Sequence, residues 1–173
     1  NAEYGGRISS IMDIQIREAK KDDMKHVIEL ITELAVFEKE PNAVVICSKD
    51  LIKDGFGDNP LFSCFVASVN NKILGMCLGY PRYSTWKGPT MHLEDLIVTK
   101  SMRGKGIGFA LFSHFIKISH LKNVRRIEWA VLDWNIDAIN FYKNNGAYVS
   151  KEWQIAQMNE DAIQNFINKN ENI

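Results

Sequence analysis

The sequence predicts a mixed α/β sheet in a single domain. Three observations carry this. The apolar segments run strand, helix, helix, three strands, helix, strand, helix, strand, so strands cluster early and alternate with helices later. Two of the strand-like runs, 60–69 and 72–81, flank Asn70-Asn71, a hairpin turn signal. A third apolar run, 91–98, leads through a glycine-rich stretch straight into a helical pattern. At 173 residues the chain has the length for one sizeable core.

Each element has its own reason. "DIQIRE" (13–18) alternates and reads as a strand. Asp22 is the expected N-cap of the next segment, where Met24, Val27, Ile28, Ile31, Leu34 and Ala35 recur at helical spacing as far as Phe37. Pro41 lies in the loop that follows. Ser48 is the expected cap of a short helix, "KDLIKDGF", stopped by Gly55 and Gly57. Beyond the three strands, Ile107, Ala110, Leu111, His114, Phe115, Ile118 and Leu121 mark an amphipathic helix. "RRIEWAVL" (125–132) reads as a strand and "NIDAINFYKNNG" (135–146) as a helix ended by Gly146. "AYVSKEWQIAQM" (147–158) reads as a closing strand before a polar helical tail. Residues 1–11 differ in character and read as an expression scar or extended start, leaving one domain over 12–173.

Composition narrows the function. Lys+Arg and Asp+Glu are both 21, and this balance argues against a nucleic-acid binder. No apolar run approaches the roughly 20 residues of a membrane span, and no secretory leader is evident, so a cytoplasmic protein is expected. Cys47, Cys64 and Cys77 lack CxxC spacing, and the last two sit in apolar strands as expected core thiols. His26, His92, His114 and His120 show no ligand spacing, so no metal site is expected.

"RGKGIGFALF" (103–112) is the densest chemical signal. It lacks the GxxxxGK[ST] of a P-loop, and both registers of GxGxxG fail, at Phe109 and at Leu111. What remains is a strand, an arginine, three alternate glycines and a helix. Successive backbone N–H groups at a helix start, with the helix dipole, suit an anion such as a pyrophosphate. Arg103 and Lys105 would add charge. A glycine turn without a ligand is the alternative.

R-x-x-G-x-G at 103–108 after an apolar strand resembles the coenzyme A loop of GNAT N-acetyltransferases. "NFYKNNGA" (140–147) and "DWN" (133–135) resemble that family's late helix and the segment before it. "DGFGDNP", "YSTWKG", "HLEDLIV" and "AVLDWN" resemble the spermidine/spermine acetyltransferase subfamily, near its thialysine-acetylating branch. The resemblance implies a mostly antiparallel sheet splayed between its fourth and fifth strands, acetyl-CoA as cofactor, a small cationic amine as substrate and a homodimer. It places the pantetheine arm on the backbone of Leu96, Ile97 and Val98. The pyrophosphate falls on Arg103, Gly104, Lys105, Gly106, Ile107, Gly108 and Phe109. Asn135, Ile136, Asp137 and Ala138 line the arm's other side.

The chemistry then asks for particular groups. An aliphatic amine with a pKa near 10.4 is neutral in about one molecule in 2,500 at pH 7, a cost of roughly 4.6 kcal/mol. A base is needed, direct or through water. Glu94 is the candidate, because a carboxylate in the apolar strand "HLEDLIV" is costly without a use. A carboxylate paired to a neighbouring cation is the alternative. Asp95 should face the opposite side unless a bulge intervenes, and a structural role competes with substrate contact there. Tyr142 is the candidate acid for the leaving thiolate, against a plain packing role. A backbone N–H freed by a bulge near Leu96 would serve the oxyanion. The resemblance implies substrate contact at Phe37, Glu38 and Glu152, and Trp86 and Glu128 are further candidates; acidic and aromatic groups suit a cation. By the same resemblance Ser84 stands where the polyamine enzymes carry an aspartate, which weakens the case for long polyamines and leaves thialysine, short diamines or another small amine open. A protein-lysine or N-terminal acetyltransferase and a non-catalytic CoA sensor are the rival readings.

Overall fold

The computed structural model describes residues 13–170, so the expected scar or extended start at 1–11 lies outside the described residues. The chain divides into two compact units at Ala130/Val131. The first contains β1 (Gln15–Glu18), α1 (Met24–Phe37), α2 (Ser48–Gly55), β2 (Ser63–Val69), β3 (Lys72–Ser84), β4 (Gly88–Val98), α3 (Ile107–Leu121) and β5 (Ile127–Glu128). The second contains α4 (Ile136–Asn144) and α5 (Glu160–Lys169). The sheet order is β1-β2-β3-β4-β5, antiparallel from β1 to β4 and parallel between β4 and β5. This is the mixed, mostly antiparallel sheet that the sequence predicts.

Both faces of the sheet are covered, which explains why β2 and β3 read as nearly continuous apolar runs. On one face Cys64, Val66, Met76 and Leu78 pack with Met24, Val27 and Leu30 of α1 and with Leu51 of α2. The other face belongs to α3. A Cβ on Gly79 would lie 2.4 Å from the Phe115 ring, and one on Gly75 would lie 3.0 Å from Leu111. Burial of Phe115, with no exposed surface, contributes about 1.5–3 kcal/mol. The β2–β3 turn is the expected hairpin, with Asn70 and Asn71 at φ of 50° and 62°.

Four expectations need correction. Asp22 does not cap the first helix. Asp23 does that work at a short 3₁₀ turn, where its carboxylate accepts from the Lys20 N–H at 2.7 Å and takes two bonds from Arg17. Ser48 is inside α2 rather than before it; the Asp50 carboxylate accepts from Cys47 N–H at 2.8 Å and closes that start. The strand expected at 125–132 shrinks to Ile127–Glu128, because its ladder with β4 covers only Met91↔Ile127 and His92↔Glu128. The closing strand expected at 147–158 does not form: alternation alone makes no strand without a neighbour to pair with, and Tyr148, Trp153 and Ile155 stand exposed. The polar tail is helical as expected, with Asn159 accepting from the Ala162 N–H at 2.9 Å.

Candidate functional site

The site in the first unit is built where the sheet opens. The β4–β5 ladder ends at His92, and from residue 93 onward β4 has no further ladder partner on that edge among the described residues. The register against β3 shifts at the same place: Leu78 pairs with Asp95 and Gly79 with Leu93, leaving Glu94 as the extra residue of a β-bulge. The bulge sits at Glu94, two residues earlier than the expected position near Leu96. It aims consecutive carboxylates differently from a regular strand. Glu94 has a half-exposed side chain, at 51%. Asp95 is half-buried beside it.

Glu94, Asp95 and Glu38 form one acidic group. Burial first, then the charges of Glu94 and Glu38, push the Asp95 carboxyl up to about 6. Glu38 follows the last residue of α1, and burial raises its carboxyl too. Three neighbouring carboxylates, two of them raised by burial, form a place for a cation. Phe37 precedes Glu38, and its ring lies under the Arg103 guanidinium, 5.0 Å from ring centre to Cζ.

Around Glu94 the structure gathers residues that the sequence did not single out. The Tyr80 hydroxyl donates to Glu94 Oε2 at 3.0 Å, and His92 Nε2 lies 3.4 Å from the same oxygen. Arg82 Nη1 is 3.3 Å from His92 Nδ1 and 2.6 Å from Glu128 Oε1. Arg126 Nε lies 3.1 Å from Glu128 Oε2. The two Glu128 contacts are charge pairs without hydrogen-bond geometry, so Glu128 is engaged by two arginines. The signal was present: in hairpin register Tyr80 meets His92, and His92 stands two residues from Glu94.

Not every candidate joins this group. Trp86 is 81% exposed at the β3–β4 turn. Six residues of strand separate Gly88 from Glu94, about 20 Å. Ser84 has a local job, accepting from the N–H groups of Trp86 and Lys87 at 3.2 Å each.

The glycine loop has the shape expected of an anion cradle. Gly104 and Gly106 adopt φ of 73° and 86°, and an added Cβ on either would meet nothing within 4 Å. Gly106 is the N-cap of α3 and supplies no side-chain acceptor; the first helical bond runs from Ala110 N–H to Gly106 O. The N–H groups of Ile107, Gly108 and Phe109 therefore emerge toward the open side, with the positive end of a 15-residue helix behind them. A Cβ on Gly108 would lie 3.6 Å from Val98 Cγ2. Arg103 Nε donates to Val98 O at 3.0 Å, and Lys105 Nζ reaches Met102 Sδ at 3.9 Å. The open edge of β4 at Leu96, Ile97 and Val98 leads to this loop. The residues present fit a coenzyme A pyrophosphate and its arm.

In the second unit Asn135 caps α4, its side chain accepting from Ala138 N–H at 3.3 Å, with Ile136 and Asp137 in the first turn. Tyr142 lies in the same helix, its ring edge-on to Phe141 at 5.5 Å. Gly146 ends the turn at φ 90°, and the Ala147 N–H returns to Tyr142 O at 3.0 Å. Glu152 is exposed in a non-repetitive segment, its N–H donating to Ser150 Oγ at 3.2 Å.

Burial pushes the Cys77 thiol up to about 12 and raises that of Cys64 as well, so neither is a nucleophile, as expected of core cysteines. No group of metal-binding side chains occurs among the described residues.

The model of the acetyltransferase (GNAT) family matches residues 19–147. A mouse protein named thialysine N-epsilon-acetyltransferase is 39% identical over 77% of this chain and 83% of its own length. A human protein named spermidine/spermine N(1)-acetyltransferase-like protein 1 is 34% identical over 92% of this chain, which spans only 24% of that longer protein. Among solved structures, an integron cassette protein of V. cholerae has the same fold, with a TM-score of 0.74 and 24% identity over 90% of this chain and 98% of its own.

Proposed function

The chain belongs to the acetyltransferase (GNAT) family, and from that premise we propose that it acetylates the primary amine of a small cationic substrate by direct attack on acetyl-CoA. The observation that carries this reading is the acidic group of Glu38, Glu94 and Asp95 at the bulge of β4. Relatives named for thialysine and spermidine/spermine acetylation support the same amine class.

Acetyl-CoA, when bound, supplies the thioester whose acetyl carbon the amine attacks. The N–H groups at the start of α3 would hold its pyrophosphate, and the open backbone of Leu96, Ile97 and Val98 its arm. Glu38 and Glu94 would draw in the ammonium, with the Phe37 ring beside them. The proton of the attacking nitrogen goes most cheaply to Asp95. From an amine near 10.4 to an ordinary aspartate the transfer is uphill by about 9 kcal/mol. To a carboxyl at about 6 it is uphill by about 6 kcal/mol. The raised Asp95 carboxyl supports a share of the base role for this residue beside Glu94, the expected candidate. Tyr142 would donate its phenolic proton to the departing sulfur.

We further propose one catalytic domain over 12–173, since the family match runs across both compact units, a cytoplasmic setting, and a homodimer. Light scattering at twice the chain mass is the expected result for the dimer; the mass of one chain would refute it. The direct test of function is thiol release from acetyl-CoA with thialysine, lysine, putrescine, spermidine, spermine and a lysine peptide. Turnover on a free small amine is expected. Turnover on the peptide alone would replace this reading with a protein acetyltransferase, and acetyl-CoA binding without turnover would replace it with a sensor.

A further inference from the structure

His92 belongs to no role described so far, yet it stands between the acidic group and a cationic pair. It is carried by β4, opposite Tyr80 of β3 on one side and Glu128 of β5 on the other. Its two ring nitrogens meet different chemistry. Nδ1 is 3.3 Å from Arg82 Nη1, and a guanidinium has only donors, so Nδ1 accepts. The proton of the neutral ring is thereby on Nε2, which faces Glu94 Oε2 at 3.4 Å. Arg82 is itself held by Glu128 at 2.6 Å, and Glu128 by Arg126 at 3.1 Å.

We propose that His92 is a positioning residue for Glu94, its tautomer fixed by Arg82, so that the carboxylate offers Oε1 to the amine while Oε2 is held. The inference rests on the reading of Glu94 as an amine-contacting carboxylate. A half-exposed glutamate on a bulge has several rotamers, and ordering them at the moment of binding costs affinity. The Tyr80 hydroxyl donates to Oε2, and His92 Nε2 stands 3.4 Å from the same oxygen, close enough to complete a second bond by a small ring rotation; together they limit that freedom beforehand. They also leave the other oxygen for an ammonium, which brings up to three donors of its own. The row Glu128, Arg82, His92, Glu94 crosses three adjacent strands, so the sheet itself sets its spacing.

Two measurements on the full chain test this. The first is the ¹⁵N spectrum of the His92 ring in the free protein. An Nε2–H tautomer is expected, with a tautomer mixture in Arg82→Leu; an Nδ1–H ring in the wild type would overturn the proposal. The second is steady-state kinetics on thialysine. His92→Phe should raise the KM for thialysine about five-fold, the range of one hydrogen bond, with the KM for acetyl-CoA unchanged. His92→Gln, whose amide N–H replaces Nε2–H, should restore most of that loss, which a purely structural role would not predict. Glu94→Gln separates the two levels. If it raises the thialysine KM while His92→Phe does not, only the positioning role falls. If Glu94→Gln is without effect, or the wild type does not turn thialysine over, the reading of Glu94 falls and the inference with it.

Discussion

Leu93 and Asp95 stand two residues apart in one strand and face opposite sides of the sheet. Leu93 pairs with Gly79, whose Cα lies under the Phe115 ring of α3; Asp95 pairs with Leu78, which packs against α1. Directly opposed residues share a face, so the single extra residue Glu94 inverts the pattern. Without it Asp95 would follow Leu93 toward α3. With it, Asp95 comes to the α1 side, within the field of Glu38 at that helix's end.

The buried carboxyl predicts opposite effects of one substitution on rate and stability. Asp95 titrates at about 6 in the folded protein and near 3.8 without burial. A raised carboxyl contributes its full stability below about pH 4, and that contribution is lost as pH rises through about 6. Asp95→Asn should therefore match the wild type in stability near pH 4 and exceed it above pH 7 by up to about 3 kcal/mol, with a higher melting temperature there. The same variant should lose the acidic limb near pH 6 from its kcat/KM profile and turn over more slowly. Thermal melts and rate profiles across pH 4–9 measure both. Equal melting temperatures at pH 8 would show that Asp95 is not strained.

Asp23 has the reverse sign. The hydrogen bonds from Arg17, at 2.6 and 3.0 Å, hold its carboxyl below the usual range against the opposing effect of burial. A lowered carboxyl stabilises the fold above its unfolded value, and that stability disappears as pH falls through the folded value. Asp23→Asn should cost about 1.5–3 kcal/mol at pH 7, measured by urea unfolding, and much less at pH 3. A constant difference across that range would assign the loss to packing instead of charge.

Much of this arrangement is legible in the sequence, for reasons that differ by residue. Asn70-Asn71 declares its turn because few residues tolerate positive φ twice in succession. The glycine loop declares itself because Gly104 and Gly106 need that same region. Local chemistry suffices in both cases. The fate of 125–132 depends on how far β4 keeps its partner, a question about another strand. The alternating run 147–158 pairs with no strand among the described residues, which its own residues could not reveal. The bulge lies between these cases. The adjacent acids Glu94 and Asp95 in an apolar strand hint that alternation fails there, but only the register against β3 places the extra residue. His92 stands two residues from Glu94, a signal in plain sight, but its role depends on Arg82, ten residues earlier on the neighbouring strand, and so shows only once the strands are paired.

Gly106 carries a prediction for the cofactor. As the left-handed N-cap of α3, at φ 86°, it makes alanine costly by about 1–2 kcal/mol, although space for the methyl is open. That open space is where a pyrophosphate would approach the helix N–H groups. Gly106→Ala should lower the melting temperature by a few degrees and weaken acetyl-CoA binding by ten-fold or more in calorimetry. Unchanged binding in a folded variant would place the cofactor elsewhere.

Tyr142 offers the sharpest test of the leaving-group step. A thiol near 8.5 departs as thiolate, and full transfer from a phenol near 10 is uphill by roughly 2 kcal/mol. The transfer must therefore accompany collapse of the tetrahedral adduct, when the sulfur becomes basic. Phenylalanine keeps the ring in α4 and its edge-on contact with Phe141, so the helix should persist. Tyr142→Phe should lower kcat by about 10²-fold or more while the affinity for acetyl-CoA stays close to that of the wild type. A substrate analogue with a more acidic thiol leaving group should recover part of the lost rate, because it needs less help to depart. Recovery in the variant but not in the wild type would identify the phenol as the acid. A variant with undiminished kcat would return Tyr142 to packing and leave the thiolate to be protonated by water.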